Sequence, residues 1–298
     1  MGSADVVPGV SGGTIAFISG IYEELIHSIK SIDLGAVRLL FSFKLREFWY
    51  SINAPFLLVL VLGIGTSIIS LAKVITYLLN TFPIQVWSFF FGLIVISALS
   101  VATQIKNRNS LTVLAGVIGV VIAFIITSST PSSTPDDLWF IFISGTVAIC
   151  AMILPGISGS FILLIFGKYE YILNALKDID LTVILTFIVG CAFGIISFAR
   201  LVSWLLKKYH DFTIALLAGF MIGSLNKIWP WKITTQFRVD SHGEQVPFIQ
   251  ENILPTEYLN LTGEPPLILY ALFFMAVGFF TIVIIEKIAL AIRKKSHA

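Results

Sequence analysis

Pro8-Gly9-Val10-Ser11-Gly12-Gly13, leading to Gly20-Ile21-Tyr22-Glu23, returns as Pro155-Gly156-Ile157-Ser158-Gly159-Ser160, leading to Gly167-Lys168-Tyr169-Glu170. The copies stand 147 positions apart, and from Pro8 to Leu34 13 of 27 positions are identical without a gap. Proline has no N–H and glycine accepts positive φ, so each copy breaks a helix and then presents a hydroxyl. In a membrane chain, a matched pair of Gly/Pro-interrupted segments in two halves points to a transport site.

The composition is that of a membrane protein. Of 298 residues, 57% are hydrophobic and 12% charged, with a mean hydropathy of +0.94. Soluble domains carry about twice that charge. Long apolar runs cover Pro55–Leu79, Ile84–Ala102, Leu111–Thr127, Leu138–Leu154, Leu181–Leu206, Phe212–Leu225 and Pro266–Ile285. A spanning helix needs about 20 such residues. The shorter runs imply tilt, local thinning or partial crossing. The expected class is an all-α polytopic membrane protein. Cys150 and Cys191 both sit in apolar runs, without disulfide or metal-ligand spacing. His27, His210, His242 and His297 are scattered, so no metal, no cofactor and no nucleic-acid partner is expected. No cleavable signal peptide is expected before the first motif.

A second block repeats at offset 127. Gly63 meets Gly190, Ile68-Ile69-Ser70 meets Ile195-Ile196-Ser197, Ala72-Lys73 meets Ala199-Arg200, and Gly92 meets Gly219. The change of offset gives the first half 20 extra residues, a basic and aromatic stretch around Arg38 to Trp49 that reads as interfacial. The expected organisation is two repeats, 1–130 and 131–298, each with a re-entrant helical hairpin and about three spanning helices. An apolar run precedes the second motif, whereas seven residues precede the first, so the first half is either shorter or lacks its leading half-helix.

Lys/Arg placement sets the topology. Arg38, Lys44, Arg46, Lys106, Arg108, Lys207, Lys208 and the C-terminal Arg293-Lys294-Lys295 read as cytoplasmic. The 128–137 loop, with Asp136 and Asp137, and the 226–265 loop, with five acidic and three basic residues, read as outside. Lys30 then lies inside and its repeat mate Lys177 outside, which makes the repeats inverted.

Non-helical backbone at membrane depth survives only within protein or beside a water-filled cavity. A hairpin tip there turns free N–H groups and the positive end of a helix toward the cavity. Ser11, Ser158 and Ser160 add hydroxyl donors, making an anion cradle; the plainer alternative is a kink that packs helices closely. Asp5 precedes the first motif, and Glu23 and Glu170 follow the two motifs at equal spacing. Intramembrane carboxylates suit proton coupling, while at a hairpin mouth the two glutamates would simply be solvated. Lys73 and Arg200 stand about six residues from the ends of long helices, where they either hold phosphate or snorkel to the interface.

The stretch Ala4-Asp5-Val6-Val7-Pro8-Gly9-Val10-Ser11-Gly12-Gly13-Thr14 with Gly20-Ile21-Tyr22-Glu23, and the second signature Leu154-Pro155-Gly156-Ile157-Ser158-Gly159, resemble those of a bacterial membrane family. That family is the undecaprenyl-phosphate translocases, or polyprenyl-phosphate transporters, once a domain of unknown function. The resemblance covers nearly the whole chain. It implies a flippase in the bacterial cytoplasmic membrane that returns the lipid carrier for peptidoglycan and other envelope polymers. The candidate substrate-binding set is Pro8, Gly9, Ser11, Gly12, Gly13 and Thr14, their counterparts Pro155, Gly156, Ser158, Gly159 and Ser160, and the cations Lys73 and Arg200. Asp5, Glu23 and Glu170 are the coupling candidates. The rival readings are a transporter of a small anion or ion and an intramembrane lipid phosphatase using Ser11 or Ser158. No base stands at a fixed short spacing from either serine, so no enzyme is expected.

Overall fold

The computed structural model describes residues 1–5, 10–239 and 245–296. Helices α1 (Gly2–Asp5), α2 (Gly12–Ile18) and α3 (Tyr22–Lys30) carry the first motif. Helices α4 (Leu34–Phe41) and α5 (Leu45–Ser51) form the basic and aromatic stretch, with Phe41, Phe43 and Tyr50 exposed. Long helices α6 (Ala54–Thr81), α7 (Pro83–Thr103) and α8 (Ser110–Ser128) follow. The second motif lies on α9 (Leu138–Ile153), α10 (Gly159–Ile165) and α11 (Tyr169–Lys177). Next come α12 (Leu181–Lys208) and α13 (His210–Ser224). Strands β1 (Lys232–Val239) and β2 (Gln245–Asn252), then α14 (Pro255–Thr262) and α15 (Ile268–Ser296), complete the chain. Helices α6, α7, α8, α12 and α15 are long and apolar enough to cross a bilayer, and the chain is a multi-pass membrane protein.

The chain is mostly helical, as expected of an all-α polytopic membrane protein, and one strand pair adds to it. β1 runs antiparallel to β2 from Lys232↔Asn252 to Val239↔Gln245, with register slips around Gln236. Ile233, Thr234, Thr235, Phe237 and Val239 give β1 its strand preference, hidden in a loop that charge alone makes look irregular.

Local chemistry sets the helix starts. Asp33 Oδ1 accepts from Ala36 N at 2.9 Å, Asn109 Oδ1 from Thr112 N at 2.8 Å, and Asp180 Oδ1 from Thr182 N at 3.0 Å, capping α4, α8 and α12. Element bounds repeat at the sequence offsets: α2 and α3 match α10 and α11 at both ends, and α6 and α12 are each 28 residues. The one-residue breaks after α6 and α12, Phe82 and Tyr209, share φ −132° and ψ 53° to 54°.

The long helices cross where glycine lets backbones touch, as lipid-embedded helices do. A Cβ on Gly92 of α7 would lie 1.9 Å from Met275 O of α15, and one on Gly219 of α13 would lie 2.2 Å from Gly116 O of α8. A Cβ on Gly190 of α12 would lie 2.2 Å from Phe142 O of α9, whereas Gly63, its mate on α6, has nothing within 4 Å.

Polar contacts gather at two ends. At one, Lys30 Nζ reaches Ser203 Oγ at 3.3 Å, Asn53 Nδ2 reaches Glu24 Oε1 at 3.1 Å, and Asp211 accepts from Lys106 N and Asn107 N. At the other, Ser132 N donates to Ile165 O at 2.9 Å, the buried Lys168 pairs with Asp136, and Asn226 Nδ2 reaches Ser128 Oγ at 3.1 Å. Helix α9 therefore starts, and α10 finishes, at the same end.

Matched glycines should respond oppositely to one substitution. Gly190→Val should lower stability by about 1–3 kcal/mol or more through overpacking, while Gly63→Val should leave the melting temperature of the purified protein unchanged. Equal losses in both would refute this account of the α9–α12 crossing.

Candidate functional site

The two motifs meet. Ser11 is the N-cap of α2, and its Oγ accepts from Gly13 N at 3.0 Å. The same hydroxyl is directed at the second motif, 3.2 Å from Met152 O and 3.1 Å from Leu154 O. These carbonyls end α9, where a broken helix leaves acceptors unpaired. In return, Thr14 Oγ1 accepts from Gly156 N at 3.0 Å. Ser11, Thr14 and Ser158 are all buried, so these bonds form away from solvent, where an unmet backbone group is costly. Around them lies the largest apolar core, with Val10, Phe17, Ile153, Trp87, Ile94 and Met221.

Each break has its own local device. Gly12 N donates to Asp5 Oδ1 at 2.7 Å, so the carboxylate ties α1 to α2, and its other oxygen has no partner among the described residues. In the second motif, Gly156 has φ +93°, and a Cβ there would lie 2.6 Å from Ser224 Oγ. Only glycine meets both demands. Ser158 makes no side-chain cap; its Oγ lies 2.7 Å from that of Ser160, which is exposed. Gly13 and Gly159 bring backbones together: added Cβ atoms would stand 2.7 Å from Ile153 O and 2.6 Å from Ala148 O.

The other candidates lie apart from this meeting point. Lys73 on α6 and Arg200 on α12 are exposed and have no hydrogen bond or ion pair with described residues. Glu23 and Glu170 are exposed at the starts of α3 and α11, and Glu23 lies 4.0 Å from His210 Nε2. Pro8 and Gly9 fall outside the described residues. Pro155 is buried at the second tip. No group of three metal-ligating side chains occurs among the described residues.

Sequence reading passed over Lys227 and Lys232. Lys227 Nζ stands 4.3 Å from the centre of the Phe161 ring on α10, and Lys232 Nζ 3.7 Å from that of Trp87 on α7. The available signal was the run Trp229-Pro230-Trp231-Lys232, a cation set among aromatics in an otherwise acidic loop.

A family model described as undecaprenyl phosphate translocase-like matches residues 1–246. The chain belongs to that family. Within the translocase-like family, it is 47% identical over 289 residues to the polyprenyl-phosphate transporter of Vibrio cholerae, covering 97% of this chain and 94% of that protein. It is 32% identical over 249 residues to the polyprenyl-phosphate transporter of Staphylococcus aureus, covering 77% and 83%. No solved structure gives a significant match.

Thr14→Val keeps the shape but strands Gly156 N, and should destabilise the protein by about 1–3 kcal/mol. Ser160→Ala, at an exposed site, should change stability little. Denaturation of the two purified variants in one detergent checks the pair.

Proposed function

We propose that this translocase-like protein moves a polyprenyl phosphate, such as undecaprenyl phosphate, between the leaflets of the bacterial cytoplasmic membrane. The observation that carries this reading is the buried exchange of hydrogen bonds between two copies of one helix-breaking motif. Two such breaks, from the two repeats, are the architecture that places a substrate site near the bilayer midplane. The names of the Vibrio cholerae and Staphylococcus aureus relatives supply the substrate class.

On this reading residues 1–130 and 131–298 are inverted repeats, and α9 with α10 is a re-entrant hairpin. Its strands of chain enter and leave at the end marked by Ser132, Asp136 and Lys168. The first-motif helices α1 and α2 are its counterpart, opening toward the end marked by Glu24 and Asp211. The phosphate head passes the tips formed by Ser11, Gly12, Gly13 and Thr14 and by Pro155, Gly156, Ser158, Gly159 and Ser160, and Pro8 and Gly9 belong to the same candidate set by sequence. The polyprenyl tail stays in lipid. Asp5, with one carboxylate oxygen free among the described residues, is the coupling candidate closest to the tips. Glu23 and Glu170 would act at the mouths. Lys73 and Arg200, exposed along α6 and α12, would meet the phosphate on the lateral path. No covalent chemistry is assigned, and the C-terminus is cytoplasmic. The physiological role is recycling of the carrier for envelope polymers.

Two measurements test this. On a background with Cys150 and Cys191 replaced by alanine, single cysteines at Ser31 and Asp178 should label from opposite faces of oriented cells. Labelling from the same face would remove the inverted arrangement. Liposomes holding the purified protein should move labelled undecaprenyl phosphate between leaflets. Lys73→Gln or Arg200→Gln alone should move it about ten- to a hundredfold more slowly, the weight of one lost charge-assisted contact, and the double variant more slowly still. An unaltered rate would leave both cations as interfacial anchors.

A further inference from the structure

Lys227 and Lys232 are half-buried lysines of the end that bears the strand pair. Among the described residues, no carboxylate lies within ion-pair distance of either ammonium. Lys232 Nζ donates to Lys227 O at 2.6 Å, which binds the two residues into one unit. Each ammonium otherwise faces an aromatic ring, Phe161 for Lys227 and Trp87 for Lys232. Ring faces attract cations but leave the ammonium donors unused. Burial, and for Lys232 also the neighbouring Lys227, holds both groups below the ordinary lysine range. A half-buried site that keeps two neighbouring lysines without a counter-charge among the described residues is completed by an anion.

The surroundings select the anion's other end. Trp87 and Phe91 lie one turn apart on the same face of α7, and the ring of Phe91 packs on that of Trp229 at 5.7 Å between centres. Phe91, Phe124, Leu225 and Trp229, with the polar Asn226 and Asn252 at its edge, line a mostly apolar crevice of about 320 Å³. An apolar crevice thus adjoins the cation pair, the arrangement an amphipathic phosphate requires. The pair also touches the proposed path: Phe161 is two residues past Gly159 on α10, and Ser224 abuts Gly156 at the tip. The corresponding place in the first half is different. At offset 127 Lys227 aligns with Ser100, whose hydroxyl bonds Glu286.

We propose that Lys227 and Lys232 form an entry site for the phosphate monoester head of a polyprenyl phosphate, with the first isoprene units in the crevice beside Trp229. This rests on the lipid-phosphate reading above. The site stands at one mouth of the molecule, the end bearing Asp136 and the strand pair, and its charge asymmetry gives that end the role of loading.

The test is binding of farnesyl phosphate, and separately of inorganic phosphate, to the purified full chain in nanodiscs. Wild type should bind farnesyl phosphate, and Lys227→Gln, Lys232→Gln should bind it at least about tenfold more weakly. If the double variant does not purify as folded protein, Lys227→Gln alone serves, since among the described residues its ammonium makes no hydrogen bond and faces the Phe161 ring; it should lose severalfold. Unchanged binding in the folded variant overturns the entry site and leaves the lipid-phosphate reading standing. Lysine-dependent binding of inorganic phosphate without farnesyl phosphate supports the anion site and overturns the lipid reading. Binding of neither ligand by wild type overturns both.

Discussion

A helix broken inside an apolar surrounding leaves N–H and C=O groups that water cannot reach. The protein meets that constraint by making each break satisfy the other. The carbonyls of Met152 and Leu154 receive the Ser11 hydroxyl, and the amide of Gly156 gives to Thr14. Neither tip is complete by itself, so the halves are held together by the same groups that would otherwise be liabilities. The apolar core around Val10, Ile153 and Met221 closes over the junction, and the glycine crossings of the long helices bring their backbones close enough to shape it.

The repetition is close in backbone and loose in chemistry. Bounds of α2, α3 and α6 recur in α10, α11 and α12. Side chains diverge: Ser11 caps its helix while Ser158 turns to Ser160, and Asp5 braces the first break while Ser224 abuts the second. A duplicated frame keeps its geometry because backbone contacts at glycine tolerate little change. Polar positions are freer to differ.

Much of this was legible in the residues. The repeated motif at a fixed offset marked the starts of α2 and α10, and apolar length marked the candidate spanning helices, because burial in lipid and chain geometry act locally. The strand pair escaped because its pattern lies in a charged loop whose order comes from pairing 6 to 20 residues away. Lys227 and Lys232 escaped for a related reason: a loop cation looks solvated until the rings of Phe161 and Trp87, remote in sequence, are found over it. Lys73 and Arg200 show the reverse. Their matched positions were plain, but their exposure on α6 and α12 was not, because it depends on which face the neighbouring helices cover.

The bare flank of α6 makes the molecule mechanically uneven. Helix α12 is clamped along α9 by Gly145, Gly190 and Gly194. Helix α6 has Gly63 and Gly65 against open space, and few of its residues are buried. Unpacked glycines lower a helix's resistance to bending. Helix α6 is therefore the compliant element and α12 the rigid one, so a distortion of the bundle is taken up first along α6.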